Sequence, residues 1–186
     1  MARKSVVELV AQATADFPDN VTGLITPAKL RQFVIDFLTS FSPAYGYLQL
    51  PGPTSQVLNI APSLLVFATA TDSDPSQTTS IVPASTVTRT EKGVATIVFT
   101  CDFACQVGRF ITFTLFKNGV ATPWRVTNTG GGLANPLAVS LTAIDPATSP
   151  GAVYDIRATA EANGISTTLT NGFFVVQLEP VRSFTP

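Results

Sequence analysis

The side chains in this sequence able to take part in chemistry are few and widely spaced. No histidine is present, which removes the commonest general base, the usual nucleophilic triads and most zinc chemistry. Carboxylates are left. Asp72 with Asp74, or Asp102 with Asp155, would supply the acid and base of a glycan-cleaving site if the fold brought them together, although each reads more simply as a loop or surface charge. Asp72-Ser73-Asp74-Pro75 lacks the spacing of a full calcium loop. In a continuous strand the Cα atoms of Cys101 and Cys105 would lie about 13 Å apart, beyond disulfide reach. A zinc ion there would need carboxylates or a second subunit, because the chain has only these two cysteines. Two reduced thiols are the simpler expectation. Gly130-Gly131-Gly132 has no following Lys and helix, so it does not cradle phosphate. Trp124, the sole tryptophan, follows Pro123 and precedes Arg125. It reads as a core or interface aromatic shielding a cation, with a carbohydrate platform as the alternative. The expectation is a protein that is not an enzyme, with no cofactor and no metal.

Composition points to assembly. The chain has 186 residues, 45% apolar, enough for one sizeable core and a small extension. Only 12% are charged, half the usual share, and eleven Lys and Arg face twelve Asp and Glu for a net charge of -1. So few charges on one subunit imply that much of its surface is covered by other subunits, and an obligate oligomer is expected. No basic run exceeds Arg3-Lys4, so nucleic-acid binding is not expected. The N-terminus imitates a secretory signal, but Glu8 and Gln12 interrupt its apolar stretch. Ser5 with Glu8 instead makes a capping box, and Val6, Leu9, Val10 and Ala13 then line one helical face. Nothing approaches the roughly 20 apolar residues that span a bilayer, so membrane insertion is not expected.

The segment from Asp19 to Ser40 positions the strongest candidate for binding. Asp19, Asn20 and Gly23 are turn formers, Thr26 suits a helix N-cap, and Pro27 suits the first helical position. Leu30, Phe33, Val34, Phe37, Leu38 and Phe41 then recur at spacings of three and four, a stripe that must be covered. Such a stripe commonly closes the core of its own domain; here a Pro- and Gly-rich stretch separates it from the strands that follow. The pattern of Asp19, Asn20, Gly23, Ile25, Thr26, Pro27, Leu30, Arg31, Asp36 and Ser40 resembles the N-terminal segment of many tailed-phage virion proteins. The resemblance implies that these residues anchor the chain to a particle.

Downstream the period changes from helical to two, and Val, Ile, Thr and Phe dominate between turn signals. Strands are expected at 64–69, at 81–90, and over 94–101, where Ala95, Ile97, Phe99 and Cys101 share a face. A further strand through Ile111, Phe113 and Leu115 runs to the Asn118-Gly119 hairpin and returns over 120–126. Leu137, Val139 and Leu141 mark another. Tyr154, Ile156, Ala158 and Ala160 alternate with Asp155, Arg157 and Thr159, and Asn163-Gly164 is expected to make a hairpin into a short strand at 165–169. The run 173–178 is apolar on both faces, as in a central strand or one at a subunit interface. The fold expected is mainly β, a jelly-roll sandwich preceded by two short helices. Recognition is expected in loops 127–136 and 146–151 at the ends of the sandwich.

Phe113-Thr114-Leu115-Phe116-Lys117-Asn118-Gly119, the strand at 153–160 and the closing Gly172-Phe173-Phe174-Val175-Val176-Gln177-Leu178 resemble the trimeric jelly rolls of the tumour-necrosis-factor and complement globular-head type, which recur as heads of phage fibres. That resemblance implies a threefold axis lined by aromatic and aliphatic side chains, with Phe173, Phe174, Val175, Val176 and Leu178 as the expected interface. The domains expected are a helical anchor at 1–42, a linker at 43–56 and the jelly roll at 57–186. The function expected is that of a homotrimeric bacteriophage virion protein, a capsid decoration protein or short head fibre made in the host cytoplasm and displayed on the virion surface. The alternatives are a receptor-binding tip or tail-fibre component recognising host glycan, and a carboxylate-based glycan-degrading spike.

Overall fold

The computed structural model describes residues 6–16, 26–41, 43–50, 52–73, 78–82, 85–90 and 93–179. Two helices, α1 (Val6–Asp16) and α2 (Pro27–Phe41), fall in one compact unit, and Ala44–Leu178 forms a second. The second unit holds β1 (Ala44–Gln49), β2 (Thr54–Leu58), β3 (Ser63–Leu64), β4 (Thr69–Asp72), β5 (Thr78–Ile81), β6 (Thr86–Arg89), β7 (Gly93–Cys105), β8 (Phe110–Lys117), β9 (Val120–Thr129), β10 (Leu137–Thr148), β11 (Val153–Ala160) and β12 (Ile165–Leu178).

These strands make two six-stranded antiparallel sheets. Sheet A runs β10-β7-β12-β1-β4 with β2 also on β12; sheet B runs β5-β6-β11-β8-β9 with β3 also on β11. The mainly β jelly roll expected from the sequence is thus present, its alternating side chains buried between two layers. Ala95, Ile97, Phe99 and Cys101 from sheet A meet Ile111, Phe113, Leu115, Tyr154 and Ile156 from sheet B, all buried. Phe113 sits between two rings of the opposite sheet, 5.4 Å from Phe99 and 5.6 Å edge-on from Phe103. Asn118 and Gly119, with φ of 53° and 76°, make the hairpin that joins β8 to β9.

Several expectations need correction. The linker at 43–56 is strand: β1 and most of β2 lie inside it. Its Gly46 is there because Val87 Cγ1 and Ser80 Oγ press on the backbone, where a Cβ would collide with both. The single strand expected at 81–90 is the β5–β6 hairpin. Leu65 and Phe67 are buried but lie between β3 and β4 rather than within a strand. Asn163-Gly164 is no hairpin: β11 and β12 belong to different sheets, so the chain crosses the sandwich there. Segments 165–169 and 173–178 are one continuous strand. Asp155 is buried rather than wet, bound by Arg157 at 2.7 and 3.2 Å, and that guanidinium lies 4.2 Å over the Phe116 ring.

Cys101 and Cys105 are free thiols on β7, buried at 1% and 0% exposure. Burial, reinforced by Asp102, pushes the Cys101 thiol up to about 12; burial, reinforced by Glu161, also raises Cys105. The reactive species is the thiolate, so neither cysteine is expected to react with a disulfide reagent at mildly alkaline pH in the native state. Both should titrate once guanidinium unfolds the chain; rapid native labelling would contradict the burial.

Candidate functional site

Two surfaces stand out, one in each unit. On α2, Thr26 acts as the N-cap expected of it: its Oγ1 accepts from Lys29 N at 3.3 Å and its carbonyl from Leu30 N at 3.1 Å, with Pro27 opening the helix. Along the helix Leu30 is 51% exposed, Val34 and Phe37 are each 45% exposed, and Leu38 is 61% exposed. Phe33 is half-buried with its ring 6.3 Å from that of Phe37, and Arg31 is exposed. The side the helix buries carries Asp36, whose Oδ1 accepts from Gln32 Nε2 at 2.7 Å. Four side chains of the stripe are therefore about half exposed. Phe41 ends the helix; its side chain, with Asp19, Asn20, Gly23 and Ile25, lies outside the described residues. On α1, Leu9 is buried but Val10 is 60% exposed, and Ser5 also lies outside the described residues.

The second surface is the outer face of sheet A. Tyr45 and Tyr47 of β1 stand beside Phe173, Val175 and Gln177 of β12, with Thr96, Val98 and Thr100 of β7 next to them. Tyr47 stacks on Phe173 at 6.0 Å. Tyr45, Tyr47, Thr71, Val175 and Gln177 line a depression of about 500 Å³. Farther along, β10 presents Ser140, Thr142 and Ile144, the last 56% exposed. The only ionisable carboxylate among these outward positions of β1, β7, β10 and β12 is Asp102, held by Asn171 Nδ2 at 3.0 Å.

Of the interface expected on β12, only Phe173 and Val175 face outward. Phe174 and Val176 are 0% and Leu178 1% exposed, inside the core of their own subunit, so they cannot form an intersubunit contact. A bulge decides this. Between Thr170 and Phe173 the register against β7 slips, with Thr170 opposite Asp102 and Phe173 opposite Thr100. Asn171 takes a φ of 49°, and Gly172 lies buried against Leu50 and Cys101 where a Cβ would collide. Before the bulge odd residues point inward; after it even ones do. Tyr45, Tyr47 and Val98 were not expected. The first two were legible in the alternation of Ala44-Tyr45-Gly46-Tyr47-Leu48-Gln49, obscured by the glycine and the neighbouring prolines.

The carboxylates do not converge. Asp102 faces outward from sheet A and Asp155 outward from sheet B, on opposite sides of the sandwich. Asp72 Oδ1 and Oδ2 accept from Ser80 Oγ and N at 2.7 and 2.8 Å; Asp74 lies outside the described residues. Among the described residues no cluster of His, Cys, Asp or Glu has the arrangement to hold a metal ion, and no helix is long and apolar enough to cross a membrane. Trp124 is half-buried against the core and, with Pro123, Arg125, Ser140 and Thr142, borders a groove of about 370 Å³ between the edges of the two sheets.

The fold is a jelly-roll sandwich of the tumour-necrosis-factor-like kind. Murine APRIL aligns over 74% of this chain and 99% of its own, with a TM-score of 0.50 and 10% identity. The globular domain of zebrafish complement 1qA aligns over 72% and 95%, with a TM-score of 0.48 and 15% identity. Eiger TNF from S. frugiperda aligns over 78% and 96%, with a TM-score of 0.48 and 10% identity. No protein-family model matches the sequence, and no curated protein matches it by sequence.

Proposed function

We propose that this chain is a structural protein of a tailed-bacteriophage virion, a homotrimer that decorates the capsid or forms a short head fibre and attaches through its N-terminal helices. The observation that carries the reading is the apolar stripe of α2, with Leu30, Val34, Phe37 and Leu38 all near half exposed or more. A helix that keeps large apolar side chains about half exposed along one stripe is suited to dock. Its capped start, its Arg31 and the residues leading into it resemble the anchor segment of virion proteins. The outer face of sheet A, where Asp102 is the one outward carboxylate on β1, β7, β10 and β12, supplies the second half: Tyr45, Tyr47, Phe173, Val175 and Val98 suit burial against further copies of the same chain, which accounts for the scarcity of charge in the sequence. The reading assigns the protein no catalytic step.

Attachment is tested by mixing purified protein with particles that lack it. Phe33→Asp with Phe37→Asp should abolish binding while leaving the circular dichroism of the sandwich intact, since each buried carboxylate opposes docking by several kcal/mol. Retained binding would move the anchor elsewhere. Light scattering on the unmodified protein should return three times the 19.6 kDa subunit mass; a stable monomer at micromolar concentration would overturn the assembly.

A second reading, recognition of host glycan, draws support from the Trp124 groove, where an aromatic ring and the hydroxyls of Ser140 and Thr142 lie together. Glycan-array binding that disappears on Trp124→Ala would favour it over decoration alone.

A further inference from the structure

β1 begins at Ala44 opposite Leu178, the last residue of β12, so the chain enters and leaves the sandwich at one end. The opposite end is formed by the connections 59–62, 106–109, 130–136 and 161–164. The strand registers place them together: Leu58 lies opposite Ile165, Cys105 opposite Thr167, Phe110 opposite Thr129 and Ala160 opposite Ile111. Hydrogen bonds then stitch the loops into one tip. Gly108 N donates to Gly130 O at 3.1 Å, Gly130 N to Arg109 O at 2.8 Å, and Glu161 N to Phe110 O at 3.3 Å. Asn163 Oδ1 accepts from Ile60 N at 3.1 Å, and Asn59 Oδ1 from Gly164 N at 3.0 Å.

This braced tip displays large apolar side chains. Val107 is 78% exposed, Leu133 62%, Ile60 60% and Phe110 50%. Val107 and Leu133 occupy neighbouring loops, for a Cβ added at Gly132 would stand 3.3 Å from Val107 Cγ2. The only ionisable side chains in these four connections are Arg109 and Glu161, and they neutralise each other at 2.9 Å. One exposed apolar side chain would need no explanation, but four grouped on loops braced by their own backbones mark an interaction surface.

We propose that this tip seats on a zwitterionic lipid bilayer, with Ile60, Val107, Phe110 and Leu133 entering the boundary between headgroups and acyl chains. The chemistry of the patch selects this occupant. Protein contact centres favour Trp, Tyr and Arg and use Leu and Val sparingly; these connections contain no Trp or Tyr, and their one Arg is committed to Glu161. A glycan site combines an aromatic platform with several polar groups converging on it, whereas here Asn59 and Asn163 spend their carbonyls on the loop backbones, Arg109 and Glu161 pair with each other, and Gln106 and Asn135 are the remaining exposed amides. Apolar side chains exposed on neighbouring loops suit a fluid interface that moulds around them, and binding scales with the apolar area immersed. With its ion pair closed, the patch has no electrostatic preference for anionic lipid. The contact is superficial, involves no spanning segment, and does not depend on whether the chain also docks through α2.

Flotation of the intact protein with phosphatidylcholine vesicles tests the idea. The protein should float with the vesicles, to the same extent in low and high salt and without gain when phosphatidylserine is added. Val107→Asp with Leu133→Asp should lower the partition coefficient by about tenfold or more, whereas Val107→Leu with Leu133→Met should retain it; circular dichroism confirms that both variants are folded. Failure to float, a requirement for anionic lipid, or unchanged flotation of the Asp variant would each overturn the proposal. So would loss of glycan-array binding, rather than of flotation, in that variant.

Discussion

Replacing Val175 by Asp is expected to release single subunits from the proposed trimer while the sandwich stays folded. Val175 sits at the centre of the outer face of sheet A, opposite Tyr47 on β1 and Val98 on β7, and lines the depression there. Its neighbours Phe174 and Val176 form the core, so the substitution leaves the interior untouched. In a free subunit the new carboxylate meets water, and the cost is a strand-propensity penalty of about 1 kcal/mol or less. In a closed trimer three such carboxylates would be desolvated beside apolar partners, at about 2–3 kcal/mol each or more. Light scattering should show the monomer mass at concentrations where the parent returns the mass expected of the proposed trimer, with an unchanged far-ultraviolet spectrum. Val175→Thr should remain assembled. An Asp variant that stays trimeric would place the interface on another face.

The second large effect is on folding itself. At the end of the sandwich where the chain enters and leaves, Asp145 of β10 accepts from Tyr154 Oη at 2.6 Å and pairs with Lys117 Nζ at 2.6 Å. Asp145 belongs to sheet A, Tyr154 and Lys117 to sheet B, so this carboxylate ties the two layers together. Nearby, Thr148 Oγ1 donates to Gly93 O at 2.7 Å, and the wholly buried Arg89 reaches the same carbonyl at 3.4 Å. Asp145→Ala removes the acceptor from a buried hydroxyl and leaves Lys117 without its counterion. Because Lys117 is 29% exposed and can turn to water, the loss is put at about 3 kcal/mol. A fall in Tm of roughly 10 °C should follow, and a shift below about 2 °C would mean the tie contributes little.

The same contacts give an alkaline limit. Burial, the hydrogen bond to Asp145 and that residue's charge together raise the Tyr154 phenol well above its ordinary 10.0. A group whose pKa is raised on folding contributes its full stabilisation below the unfolded value. That contribution declines as pH climbs above 10.0 and the unfolded tyrosine ionises first. Denaturant midpoints should fall across that window, and Tyr154→Phe should flatten the decline.

Legibility followed the period of the side chains. Ile111, Phe113 and Leu115, or Ala95, Ile97, Phe99 and Cys101, alternate so regularly that strand and inner face could be read directly, and Asn118-Gly119 announced its turn. The α2 stripe was equally plain, because spacings of three and four have no other reading. The loops expected at 127–136 and 146–151 do lie at the ends of the sandwich, one at each, but they are shorter, since 127–129 belongs to β9 and 146–148 to β10. The outer face of sheet A was the least legible. β1 is interrupted by Gly46 and flanked by prolines, so Tyr45 and Tyr47 passed for linker.

What the amino-acid order determined alone was therefore local: two helices, a β sandwich with its inner residues, a scarcity of charge and an apolar stripe along α2. Which side chains of β12 look outward was decided only in three dimensions. The bulge at Asn171-Gly172 forms because Gly172 must pass against Leu50 and Cys101, and that slip exchanges the faces of every residue after it. The tip likewise exists only in the fold, since Ile60, Leu133 and the pair Val107 and Phe110 come from three distant stretches of chain that become neighbours once the two sheets pack and long-range hydrogen bonds close between their loops.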